Sequence, residues 1–169
     1  VVTGKTIIFT STNGTAAIGG LSADRVLIGC FANLNALLDL LIHDGRPVRL
    51  VCAGTNGEIT TEDTLCAGGL ATGLWKHYGE PDVEDDQTTL AMSLFECAAT
   101  SGDRYRKTLH NSRGGRNLRN ISLESDIQIA AQWDTTAVVP EYSKPDRALR
   151  AALETQPDFP VRLQTPAID

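Results

Sequence analysis

Long apolar runs are missing from this sequence, and none approaches the ~18 consecutive apolar residues that a membrane-spanning helix needs. The opening residues lack the charged, apolar and small-residue succession of a signal peptide, so a soluble cytoplasmic protein is the expectation. Basic residues are in deficit, with 15 Lys and Arg against 21 Asp and Glu and a net charge of -6. That balance disfavours a nucleic-acid surface, whose affinity comes from clustered cations on phosphates. CxxC spacing is absent, and Cys30, Cys52, Cys66 and Cys97 sit among apolar or small residues, so they read as buried free thiols in a reducing compartment rather than a metal site or disulfides. The lysine of a GxxxxGK[ST] loop is also lacking, which disfavours nucleotide binding. His43, His77 and His110 fall at or near expected helix ends, none beside a Ser or Cys in a nucleophile motif, so a serine or cysteine hydrolase is not supported.

What is present is ordinary globular composition, 41% hydrophobic and 21% charged, in 169 residues, about one domain. A chain of that length buries roughly 70% of its unfolded surface. Apolar, β-branched runs at residues 5–10, 25–30 and 47–53 read as buried strands. A helix over 34–42, with Leu37, Leu38 and Leu41 on one face and Asn33 as N-cap, separates the last two. Another helix runs from about 61 to 77 and ends at Gly79 and Pro81. Strands alternating with helices predict a layered α/β/α fold with a mostly parallel sheet and a helix-rich C-terminal half. In that half, helices are expected over 88–100, with Leu90, Leu94 and Cys97 at helical spacing, and over 104–111, 116–120 and 122–131. Residues 133–140 read as extended and 147–153 as a short helix. Residues 1–155 form one domain in this reading, and 156–169, spaced by Pro157, Pro160 and Pro166, a loosely held tail. Three strands make a small sheet, and the chain opens almost directly on one of them. Either another segment supplies the rest of the sheet, or the chain is a processed or truncated piece.

Four stretches could carry chemistry. Ser11, Thr12, Asn13, Gly14 and Thr15 lie between a strand and a helix start, where free backbone N–H groups at the positive helix end suit a phosphate or sulfonate, though an Asn-Gly turn with Thr capping gives the same pattern. Glu58, Glu62 and Asp63 follow the third strand, where a parallel sheet opens its ligand crevice. Magnesium takes one or two carboxylates plus substrate phosphate oxygens, so this loop could supply them; Thr60 to Asp63 equally satisfies a helix capping box. Ser112-Arg113-Gly114-Gly115-Arg116 combines glycines that admit close approach with two guanidinium forks that match phosphate oxygens, or is a surface turn between helices. It belongs to a basic stretch, Arg104 to Arg119, that is either an anion surface or a solvated helix face. Asp134 reads as a turn cap.

In order, GKTIIFTSTNGTAAI, VLIGCFANLNAL, VCAGTNGEITTEDTLCAGGLA, SRGGRNLRNISLESDI and WDTTAVVP resemble the successive blocks of the 2-phosphosulfolactate phosphatase family. The resemblance implies an α/β fold, magnesium as cofactor, and hydrolysis of 2-phosphosulfolactate to sulfolactate and phosphate, a step towards coenzyme M. Carried over by position, Thr12, Asn13, Gly14 and Thr15 stand at the TNGT block, Glu58, Glu62 and Asp63 in the acidic block, and Arg113 and Arg116 in the Gly-Arg block; their roles follow from the chemistry of the side chains, and the first four suit a phosphate cradle. Glu58, Glu62 and Asp63 stand as metal ligands or water orienters, with Glu62 and Asp63 the catalytic candidates. Arg113 and Arg116 stand as the anion clamp. Two departures from the family pattern are an expected missing N-terminal segment and Gly114-Gly115-Arg116 in place of the usual His-Gly-Arg. The partner implied is a small anionic phosphorylated acid, with no nucleic acid and no membrane; a homodimer is left open. A non-catalytic anion-binding or subunit-interaction domain, and a phosphatase of another small phosphorylated acid, are the rival readings.

Overall fold

The computed structural model describes residues 4–79, 85–152 and 163. Helices dominate it: α1 (Thr12–Gly20), α2 (Leu34–Asp44), α3 (Thr61–Tyr78), α4 (Asp86–Ala98), α5 (Gly102–Asn111), α6 (Arg113–Asn120) and α7 (Glu124–Ala130). The one sheet among the described residues is a two-stranded antiparallel ribbon, β1 (Pro140–Ser143) with β2 (Ala148–Ala151), registered Pro140 to Ala151 and Ser143 to Ala148.

The expected mostly parallel sheet in an α/β/α sandwich is therefore not what these residues build. The three β-branched runs lie outside any helix or strand and form no ladder with one another. Residues 25–30 make only an isolated antiparallel bridge, with Ile28 N–H donating to the Pro140 carbonyl and Tyr142 N–H to that of Val26. Ile7, Ile8 and Phe9 are 63%, 98% and 80% exposed, whereas a central parallel strand is covered on both faces. Apolar β-branched composition favours an extended backbone, but a sheet also needs a partner for each N–H and C=O, and that is a non-local property. Of residues 147–153, expected as helix, Ala148–Ala151 instead form β2, followed by Ala152, whose N–H donates to the Val139 carbonyl; residue 153 lies outside the described residues. Of the expected loose tail over 156–169 only Leu163 is among the described residues, and it is buried, its N–H donating to Asn35 Oδ1 at 3.0 Å; Pro81 lies outside them.

The core explains why α3 is the hub. From Gly68 to Gly73 every residue is buried, more than one full turn, so the middle of α3 is covered on all sides. Small residues let neighbouring helices approach closely: a Cβ on Gly68 would stand 2.0 Å from the Ala91 carbonyl oxygen of α4, and one on Gly73 would stand 2.6 Å from Leu38 Cδ2 of α2. Leu34, Leu38 and Leu65 fill the space around them at 0% exposure. On α4 the buried positions are Ala91, Phe95 and Ala98, so the expected face of Leu90, Leu94 and Cys97 is turned by about one residue, and Leu90 is exposed. Phe31, Phe95, Tyr105 and Trp133 make an aromatic cluster, Trp133 stacked 6.0 Å from Phe31 and 5.7 Å from Phe95, a geometry that adds to simple area burial. The helix ends follow their chemistry: Gly79 closes α3 at φ 71, which a residue with a Cβ resists. Asn33 does not cap α2 through its side chain; its amide instead donates to the Ile28 and Val138 carbonyls and its oxygen accepts from Cys30 N–H. Asp134, at φ 51, accepts from the backbone and side chain of buried Asn35 at 2.8 and 2.6 Å, which ties the 133–140 segment to α2.

The four cysteines are free, as expected, but Cys30, Cys52 and Cys97 are exposed and Cys66 is only partly covered. Burial pushes the Cys66 thiol up to about 12.

Arg25 joins α2 to the ribbon by pairing with Asp44 and Glu141, each at 2.9 Å, and Arg46 closes on Asp44 from the other side at 2.5 Å. Hydrogen bonds from Arg46 and then Arg25 hold the Asp44 carboxyl well below its ordinary value of 3.8. A depressed carboxyl stabilises the fold fully above its unfolded value and loses that contribution as pH falls through the folded value. Asp44→Asn is thus expected to lower the melting temperature at neutral pH and to flatten the acid limb below about pH 4. Melting curves from neutral to strongly acid pH check this; parallel limbs for the two proteins would contradict it.

Candidate functional site

Residues 54–58 are a turn set by backbone geometry. Gly54, Asn56 and Gly57 have φ of 64, 55 and 77, the left-handed region that Gly and Asn tolerate best, and Thr55 and Glu58 exchange backbone hydrogen bonds at 3.0 and 3.1 Å. The turn faces the start of α1, where Asn56 N–H donates to Asn13 Oδ1 at 3.1 Å across 43 residues of sequence. The turn also faces the start of α6, where Arg113 forms an ion pair with Glu58. Directly behind the turn begins α3, and Gly114 N–H donates to Glu62 Oε1 at 2.8 Å. The segments carrying Asn13, Glu58 with Glu62, and Arg113 with Gly114 therefore meet.

Within that meeting point the candidates behave differently. Asp63 Oδ2 accepts from Gly54 N–H at 2.6 Å, anchoring the turn to α3. A capping box would instead return the Asp63 side chain to the Thr60 amide and use the Thr60 hydroxyl, yet Thr60 makes no side-chain cap and its Oγ1 is buried without a partner. The acids are thus more than helix-start caps: Asp63 grips the turn and Glu62 grips α6. Glu62 Oε2 is buried with no hydrogen-bond partner, and an unpaired buried carboxylate oxygen is costly unless something satisfies it. Thr15 N–H and Oγ1 are spent on a reciprocal cap with Ser11, whose hydroxyl accepts from Thr15 at 3.2 Å. Gly14 leaves no room for a side chain beside that hydroxyl, 2.8 Å from where its Cβ would be, and Thr12 is exposed at the first turn. Arg116 turns away, donating to the Asn111 carbonyl.

Fit to a divalent cation was tested on these contacts. Among the described residues no three His, Cys, Asp or Glu side chains gather as a ligand group. Glu58, Glu62 and Asp63 are held by Arg113, Gly114 and Gly54 respectively, so they do not form one three-carboxylate cluster. What remains is thinner, the unpartnered Glu62 Oε2 with Asp63 next in sequence and engaged by Gly54, a number of carboxylates that magnesium accepts while keeping its waters.

The 112–116 stretch, expected as an anion clamp or a surface turn between helices, is the N-cap and first turn of α6, with Ser112 buried and its hydroxyl accepting from Gly115 N–H at 3.1 Å. Sequence reasoning also missed the role of Gly114. A Cβ there would stand 2.6 Å from Glu62 Oε1, so the glycine admits the carboxylate of α3 rather than a ligand. A cavity of about 440 Å³ lies elsewhere, between Ile18, Val26, Glu141, Lys144 and Arg150, and none of the candidate residues lines it. Among the described residues no helix is long and apolar enough to cross a membrane.

Comparison with known proteins bears on this geometry. A family model described as 2-phosphosulpholactate phosphatase matches residues 1–145. Curated relatives are each called a probable 2-phosphosulfolactate phosphatase. The chain is 43% identical over 141 residues to that of Caldanaerobacter subterraneus subsp. tengcongensis, covering 83% of this chain and 56% of the relative. It is 31% identical over 144 residues to that of Symbiobacterium thermophilum, covering 85% and 60%. It is 32% identical over 139 residues to that of Thermotoga maritima, covering 82% and 57%. The chain thus spans less than two thirds of the length of these relatives.

Proposed function

The chain belongs to the 2-phosphosulfolactate phosphatase family, and from that membership we propose that it takes part in magnesium-dependent hydrolysis of 2-phosphosulfolactate to sulfolactate and phosphate, on the route to coenzyme M. The observation that supports the reading best is the meeting of three sequence-distant segments, each bearing a group suited to an oxyanion or to the water that attacks it. Phosphate ester hydrolysis depends on neutralising oxygen charge and aligning a water, and no side-chain nucleophile is required. Arg113, fixed at the first position of α6, is the anion clamp in this reading. The start of α1, with Thr12 and Asn13, presents a positive helix end and polar groups to the same turn. Glu62 holds the attacking water in line, oriented by its bond to Gly114 N–H. Glu62 and Asp63 are the residues that would hold magnesium, which when bound would neutralise phosphoryl oxygens.

Phosphate release from 2-phosphosulfolactate and from phospholactate, each with magnesium and with chelator, tests the proposal on this chain and on the Thermotoga maritima relative. Release from 2-phosphosulfolactate by both proteins, abolished by chelator, is the expected result. Faster release from phospholactate would transfer the chemistry to another small acid. Release by the relative alone would favour the rival reading, a non-catalytic anion-binding domain.

A further inference from the structure

Resting on the reading of Arg113 as the anion clamp, we propose that Glu58 is an internal counter-ion seated in that clamp, which the substrate's phosphate must displace, so that Glu58 sets a threshold of anion strength for entry. The two partners are held unequally. Arg113 follows the buried N-cap Ser112 and its side chain is 29% exposed, while the Glu58 side chain is 71% exposed. The guanidinium is the anchored member and the carboxylate the one free to leave. The backbone under Glu58 is pinned by its reciprocal bonds with Thr55, so the side chain can swing away without the turn opening. Glu62 is differently placed: its Oε1 is bound to Gly114 N–H and its Oε2 is buried, so it does not compete for the guanidinium.

An exposed ion pair is a weak latch. A phosphate dianion, with more charge and a fork-matching pair of oxygens, outbids it, whereas a lone carboxylate only exchanges like for like. A clamp already holding a carboxylate weakens every incoming anion by the same factor, so at a given concentration ordinary carboxylic acids fail to occupy it while tighter-binding phosphorylated ones still do. Glu58 in this sense sets an affinity threshold through Arg113, and its removal is expected to tighten anion binding where loss of a metal ligand would weaken it.

The test titrates inorganic phosphate and acetate into the unaltered chain, Glu58→Gln, Glu58→Ala, Arg113→Gln and the Glu58→Gln/Arg113→Gln pair, by calorimetry without metal. Both Glu58 variants are expected to bind phosphate roughly fivefold tighter, the worth of one released exposed ion pair, and to gain measurable acetate binding. Arg113→Gln is expected to weaken phosphate about tenfold or more in either background. If Arg113→Gln weakens phosphate but neither Glu58 variant tightens it, the counter-ion proposal fails and the clamp stands. If phosphate binding ignores Arg113→Gln, the clamp fails and the counter-ion with it.

Discussion

Glu62→Gln is expected to lower the rate of magnesium-dependent phosphate release by about 10²- to 10³-fold, the usual cost of removing one preorganised electrostatic group from a transition state. The substitution keeps an oxygen able to accept from Gly114 N–H, so the contact between α3 and α6 survives. It removes the charge on the side chain whose second oxygen is buried without a partner. Stability should therefore change little or improve, because an unsatisfied buried carboxylate is replaced by a neutral amide. Steady-state phosphate release and a melting curve on the same sample separate the two effects. Full activity with altered stability would reduce Glu62 to a structural tie.

Gly68→Ala carries the largest expected cost in stability. Alanine is better than glycine within a helix by about 1 kcal/mol, which favours the substitution. Against this, the new methyl would stand 2.0 Å from the Ala91 carbonyl oxygen and 2.6 Å from its carbon, and a helix backbone cannot turn aside as a side chain can. Overpacking of a close helix contact costs about 1–3 kcal/mol and occasionally more. With the contact this short the steric cost wins, for a net loss of about 2 kcal/mol and a fall in melting temperature of roughly 5 °C. Because α3 carries Glu62 and Asp63 at its start, separation of α3 from α4 should also reduce activity. A melting temperature at or above that of the unaltered chain would show that α3 and α4 lie farther apart than described.

The sequence made some of this legible. Periodicity and stop signals located α2 and α3 to within about two residues, because local helical preference and the left-handed Gly79 agree with tertiary packing there. The parallel sheet failed for the opposite reason: runs such as residues 5–10 and 47–53 have the composition of strands, yet pairing is decided by segments far away. Residues 148–151 look helical locally and are strand because β1 offers them a ladder. At the candidate site the residue types Asn13, Glu58, Glu62, Asp63 and Arg113 were readable, since oxyanion chemistry calls for few kinds of side chain. Their couplings were not. The Glu62 to Gly114 bond spans 52 residues and the Glu58 to Arg113 pair spans 55, and nothing in either local pattern announces the other. Thr15 and Arg116, chosen by the same chemical logic, are engaged in a helix cap and in a backbone carbonyl contact.

That the starts of α1, α3 and α6 enclose one oxyanion site is tested most directly by following backbone amide shifts while inorganic phosphate is titrated into the chain. Amides of Thr12, Asn56, Glu58, Gly114 and Gly115 should move together along a single saturation curve with one dissociation constant. Shifts restricted to one of the three segments, or centred on the cavity beside Ile18 and Lys144, would contradict it.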